Sequence, residues 1–161
     1  MSKSLSHDQA LVLFDRAYRS QMRGEVAEAM ALYRRSIGMH PTAEAHTFLG
    51  WTYSMLGRYE EAIEACQEAI EIDPGYGNPY NDIGAYLLEL DDYEEAIPWL
   101  EKAIEAPRYD APQFPHMNLG RAYEATGKSL TALKWYDKAL EIDPLYRAAH
   151  SAKYALLGRL N

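Results

Sequence analysis

The chain has 161 residues, 48% of them apolar and 25% charged, with 16 Lys and Arg against 24 Asp and Glu for a formal charge of −8. That length supports one domain whose core needs no staple, and the acidic balance repels phosphate backbones and anionic lipid, so neither nucleic acid nor membrane is expected as a partner. The single cysteine, Cys66, excludes an intramolecular disulfide and a thiolate metal cluster within one chain.

The opening MSKSLSHDQALVLFDR has an apolar run broken by Asp15 and Arg16 and no signal-peptide layout. No later stretch reaches the ~18 apolar residues of a membrane span, so a cytoplasmic protein is expected. Ser6-His7-Asp8-Gln9 reads as a capping box opening a first helix that runs to about Met22. Gly24 then marks a turn, a second helix follows, and Pro41 closes a first unit over 10–42. In 43–76, His46, Leu49, Gly50 and Tyr53 recur with helical period, as do Tyr59, Ala62, Ile63, Cys66, Ala69 and Ile70. Leu56-Gly57-Arg58 stops the first of these helices and Asp73-Pro74-Gly75 the second, which makes the unit a helical hairpin.

A third unit, 77–110, is expected to open with Asn78 as N-cap and Pro79 as first helical residue. Its second helix begins near Tyr93, and Pro98 falls beyond the first turn, where one backbone hydrogen bond is lost and a bend is expected. Residues 106–112, with Pro107 and Pro112, form a longer connection read as structural accommodation rather than a binding loop. A fourth unit over 113–146 turns at Gly127 and closes at Pro144. Arg147 to Gly158 aligns with a further first helix, with Lys153 where Leu119 stood and Tyr154 where Gly120 stood; it reads as a terminal cap. Leu156, Leu157 and Leu160 are expected to be exposed there, with a dimer contact as the alternative role.

Self-similarity at a fixed period identifies repeat architecture. Gly50, Gly84 and Gly120 lie 34 and 36 residues apart, with Ala17 in the same place 33 residues upstream. Ala29, Ala62, Ala96 and Ala132 form a second small-residue column, and Ser36, Ala69, Ala103 and Ala139 a third. Small side chains at helix crossings let backbones approach to the short end of the ~8–10 Å range. Leu49-Gly50 with Tyr53, Ala62, Ala69 and Pro74, and Leu119-Gly120 with Tyr123, Ala132, Tyr136, Ala139 and Pro144, resemble the tetratricopeptide repeat family over about 10–158. The resemblance implies an all-α fold: about four helix-turn-helix repeats in a right-handed superhelical solenoid, plus a capping helix, forming a single domain. It also implies protein–protein interaction as the work done.

The first helices carry a second stripe, displaced from the core columns. Phe14, Tyr18 and Met22 reappear as Thr47, Trp51 and Met55, then as Asn81, Ala85 and Glu89, then as Met117, Arg121 and Ala125. Phe48, Asp82 and Asn118 run beside it, with Leu88 and Glu124 at the far edge. In the family this stripe faces the concave groove, which is therefore expected to be aromatic and Met-rich in its N-terminal half and polar in its C-terminal half. Trp, Tyr and Met are enriched in binding patches; the competing reading is that Phe14 and Trp51 wedge between neighbouring helices as packing. Asn81 and Asn118 are candidates to bond a peptide backbone, and Arg121 to meet a carboxylate. The family's two-carboxylate clamp for chaperone tails needs Lys, Arg and Asn where this chain has Phe14, Tyr18, Phe48 and Asp82, so such tails are poor candidates.

Enzymatic signatures are weak. Thr126-Gly127-Lys128-Ser129 resembles the end of a phosphate loop, but the pattern requires Gly where Ala122 stands, and a strand rather than a helix upstream. His46 and His116 lie two hairpins apart, ~20 Å or more by helix spacing, too far to share a metal. Cys66 suits a buried apolar role. The acidic run Glu60, Glu61, Glu64, Glu68 and Glu71, with Asp91, Asp92, Glu94, Glu95, Glu101 and Glu105, reads as a solvated outer face, with a docking site for a basic partner as the alternative. The expectation is a non-enzymatic adaptor, without cofactor or metal, that binds a protein or peptide in its groove. The alternative is a scaffold that self-associates through the groove or the solenoid ends.

Overall fold

The computed structural model describes residues 3–161; Met1 and Ser2, part of the stretch read for a leader, lie outside it. Nine helices follow one another among the described residues: α1 Lys3–Met22, α2 Val26–Met39, α3 Ala43–Met55, α4 Tyr59–Ile72, α5 Asn78–Glu89, α6 Tyr93–Glu105, α7 Gln113–Ala125, α8 Ser129–Ile142 and α9 Arg147–Leu160. Each odd helix pairs most closely with the even helix after it, and each pair stacks on the next. The first helices α1, α3, α5 and α7 also touch one another in succession, whereas no comparable contact joins α2, α4, α6 and α8 among the described residues. An inner layer packed more closely than the outer one curves the stack, and the first helices line its concave side. The result is an all-α, right-handed superhelical solenoid of four hairpins and a closing helix.

Small residues sit where the helices cross. Ala17, Ala29, Ala62, Ala96, Ala132, Ala69, Ala103 and Ala139 are fully enclosed, and Ser36, buried beside them, donates its hydroxyl to the Ala10 carbonyl at 2.7 Å. A Cβ added at Gly50 would lie 3.0 Å from the Ala62 carbonyl oxygen, and one added at Gly120 would overlap the Tyr136 ring. Gly24, Gly57 and Gly127 turn the chain between paired helices with φ of 80°, 72° and 81°. Asp91 takes the equivalent place in the third hairpin at φ 63°, a region most side chains avoid. The Tyr93 hydroxyl donates to its carboxylate at 2.6 Å.

Three local expectations are corrected. Ser6 does not cap α1, because the helix already starts at Lys3. Gly77, not Asn78, precedes α5, so Pro79 sits at the second helical position, where its missing N–H is still harmless. Pro98 lies inside α6, which continues past it to Glu105 with the proline on its exposed side. Leu156 is buried, 3% exposed, in a cluster with Tyr136 and Ala149, while Leu160 remains exposed. The closing helix therefore covers the α8 core with Leu156, and Lys153 reaches Asp137 at 2.6 Å.

The long connection is tied back to the turn before α5. Arg108 N–H donates to the Gly75 carbonyl at 3.1 Å and Gly77 N–H to the Arg108 carbonyl at 2.8 Å, a short parallel bridge. The Arg108 guanidinium lies over the Tyr76 ring at 4.1 Å and pairs with Asp73 at 2.7 Å and Glu44 at 2.9 Å. Those carboxylates hold the guanidinium's pKa above its ordinary value, Asp73 foremost.

Candidate functional site

The residues of the stripe on the first helices differ in accessibility. Tyr18, Met22, Trp51 and Met55 are exposed, at 40%, 50%, 38% and 44%. Phe14 is half-buried, its ring edge-on to Tyr33 and to Phe48, and packs on the first-hairpin core. Phe48 is the hub of this cluster, touching Tyr18 and Trp51 at ring separations of 5.8 Å each. Tyr33 donates to Gln21 Oε1 at 2.7 Å, and Gln21 Nε2 donates to Met55 Sδ at 3.5 Å, which fixes the thioether from inside. A rigid base thus presents exposed aromatic and thioether groups.

Thr47 and the C-terminal half behave differently. Thr47, Asn81, Leu88, Met117 and Asn118 are all buried, at 9% exposure or less. Thr47 donates its hydroxyl to the Ala43 carbonyl of its own helix at 2.7 Å, and Leu88 and Met117 belong to the inter-helix core. The reason is the close approach of neighbouring first helices, which encloses one edge of the stripe. The two asparagines bond each other, Asn118 Nδ2 donating to Asn81 Oδ1 at 3.0 Å. Arg121 extends the chain by donating to Asn118 at 3.1 Å and pairing with Glu89 at 3.3 Å. Asn81, Asn118 and Arg121, read from sequence as ligand contacts, are thus engaged in joining α5 to α7.

Between these halves opens a cavity of about 370 Å³ lined by Thr47, Phe48, Trp51, Ser54, Asn78, Asn81, Asp82, Tyr86, Tyr109, Ala111 and Phe114. Tyr109 and Ala111 come from the long connection and Phe114 from the start of α7, contributions not foreseen from sequence. The signal was present in the 36-residue spacing from Gly84 to Gly120, which delivers extra chain at this level of the groove. The connection is structural through Arg108 and lines the cavity through Tyr109. Asp82 is the acid of this cavity. Burial pushes its carboxyl up to about 7, opposed by a long hydrogen bond from Asn81 Nδ2 at 3.5 Å. Burial also raises the Tyr86 and Tyr109 hydroxyls, with the nearby Asp82 charge adding to it.

The residues weighed for chemistry have structural surroundings. Cys66 is fully enclosed, and burial pushes its thiol up. His46 is lowered by burial, with Glu68 opposing; its Nδ1 lies 3.0 Å from Glu68 Oε2 but is poorly aligned for a hydrogen bond. His116 Nδ1 contacts the Pro112 carbonyl at 2.6 Å. Thr126 to Lys128 form the α7–α8 turn and Ser129 opens α8. Among the described residues no three His, Cys, Asp or Glu gather closely enough to hold a metal, and no helix is long and apolar enough to cross a membrane.

Models of the tetratricopeptide repeat match residues 43–76 and 81–147. The chain belongs to the tetratricopeptide repeat family. Proteins of this family generally mediate protein–protein interactions. This tetratricopeptide repeat chain is 25% identical over 141 residues to anaphase-promoting complex subunit 6 of Arabidopsis thaliana, covering 85% of the chain but 26% of that subunit. The chain thus spans about a quarter of that relative's length. In structure it is similar to Pseudomonas aeruginosa pilF, with TM-score 0.87 and 22% identity over 98% of this chain and 70% of that one. It is similar also to YrrB, described as a TPR protein with an unusual peptide-binding site, with TM-score 0.73 and 19% identity over 90% and 74%. At these identities the structural likeness speaks for the fold.

Proposed function

We propose that this tetratricopeptide repeat chain is a non-enzymatic interaction module of the cytoplasm that holds an extended or helical segment of a partner protein along its concave face. The observation that carries this reading is the exposure of Tyr18, Trp51 and Met55 on a preformed base, beside a cavity large enough to seat a side chain. Apolar residues of the guest lie against these three, and the Asn81–Asn118–Arg121 chain keeps the groove in shape rather than gripping the guest. The likeness to YrrB, described as peptide-binding, supports the same reading.

Trp51→Ala tests it. Because the indole is partly exposed, its removal should leave the melting temperature nearly unchanged while weakening a groove-bound peptide by about 2 kcal/mol, the scale of an interface hot spot. Calorimetric titration with a peptide selected from a random library measures this, and equal affinity for both proteins would remove Trp51 from the site.

A second reading, self-association through a solenoid end, has its own observation. Val12 and Leu11 are exposed at 61% and 50% beside a cavity of about 650 Å³ between α1 and α2, lined by Val12, Leu13, Arg35 and Met39 among others. Light scattering decides it: a mass that stays monomeric across a wide concentration range eliminates this assembly.

A further inference from the structure

Asp82 is an acid that the fold does not need. Its carboxylate receives one long hydrogen bond, from Asn81, and no ion pair among the described residues. The groups around it are Cys66 on α4, Tyr86 on its own helix, and Tyr76 and Tyr109 on the two connections, none of them cationic. Arg108, next to Tyr109 on the long connection, is half-exposed and held by Asp73 and Glu44. The cavity that Asp82 lines is also lined by Phe48, Trp51, Tyr86, Tyr109 and Phe114. Aromatic faces attract a cation, and the attraction grows as the site is desolvated. A carboxylate with no cationic partner in a cavity lined by such rings is complementary in charge to a long aliphatic stem ending in a positive group.

We propose that this cavity is a specificity pocket for a lysine or arginine side chain of the bound segment, with Asp82 as counter-ion and the aromatic walls packing its stem. The inference rests on the groove reading above and refines it: the partner segment is basic at one position and apolar beside it. An acidic tail is disfavoured, because it would meet Asp82 at the pocket.

The test pans a random library of peptides of about twelve residues against the full chain and against Asp82→Asn, with thermal melts confirming that both are folded. Wild-type selections should be enriched in Lys or Arg at one fixed position, and selections on Asp82→Asn should lose that enrichment. For one selected peptide, Asp82→Asn and replacement of the basic residue by Gln should each weaken binding about fivefold or more, and the two together should weaken it little further. Wild-type affinity should also fall between pH 8 and pH 6 as Asp82 takes up a proton, while Asp82→Asn shows no such fall. Selected peptides without a common basic residue, or a basic peptide bound equally by Asp82→Asn, overturn the pocket; if Trp51→Ala still weakens those peptides, the groove reading survives. Retention of no peptide at all overturns both.

Discussion

At pH 8, Asp82→Asn is expected to unfold at a higher temperature than wild type. The carboxyl keeps its proton to about pH 7 in the folded state, whereas its ordinary value is 3.8. Between those values the unfolded chain binds fewer protons than the folded one, so wild-type stability falls as pH rises from about 4 to about 7 and then levels. At about 1.4 kcal/mol per pKa unit, the shift caps the penalty at about 4 kcal/mol; the cavity's opening to solvent reduces it, and about 2–3 kcal/mol is expected. Asparagine has nearly the same shape and no charge to bury. The advantage of Asp82→Asn should therefore be largest above pH 7, shrink through the window, and vanish near pH 4. Chemical denaturation of both proteins at pH 4, 6 and 8 measures it. A constant difference at all three values, or none at pH 8, shows that the carboxylate is not penalised in the folded state. The pocket proposal predicts that the more stable variant is the poorer binder.

The second large effect is at the α7–α8 crossing. Tyr136 is 1% exposed and its ring lies where a Gly120 Cβ would stand. Tyr136→Ala should cost about 3–5 kcal/mol, as for other large-to-small core changes. Gly120→Ala alone should cost about 1–3 kcal/mol, because the enclosed ring has nowhere to go. In the Tyr136→Ala background the sign should reverse: the space is vacant, and alanine in a helix is favoured over glycine by up to about 1 kcal/mol. Urea unfolding of the four proteins gives the coupling, and additive single effects would mean that the ring moves aside without cost.

Repetition made the fold readable. Gly50, Gly84 and Gly120, with the alanine columns opposite them, state where helices cross, and the turn glycines state where they end. Less legible was what happens between hairpins. That Asn118 turns toward Asn81, and that Met117 and Leu88 pack inward, depends on the distance between successive first helices, which no single-helix period encodes. The same holds for Asp82, Tyr109 and Phe114, which converge from α5, a connection and α7. Exposed stripe residues such as Trp51 and Met55 were recognisable because a helix needs only one buried face. Leu156 was misread because a closing helix still has α8 on one side.

The clasp made by Arg108 has a dynamic consequence. In a stack where each hairpin touches only its neighbours, opening can begin at either end and travel inward unit by unit. Arg108, at the end of the third hairpin, is bonded to Glu44, Asp73 and the Gly75–Gly77 backbone of the second and its exit. Those two hairpins should therefore open together. Amide deuterium uptake is expected to be fast in α1 and α9, slow and uniform across α3 to α6, and in Arg108→Ala to split into two separately opening blocks.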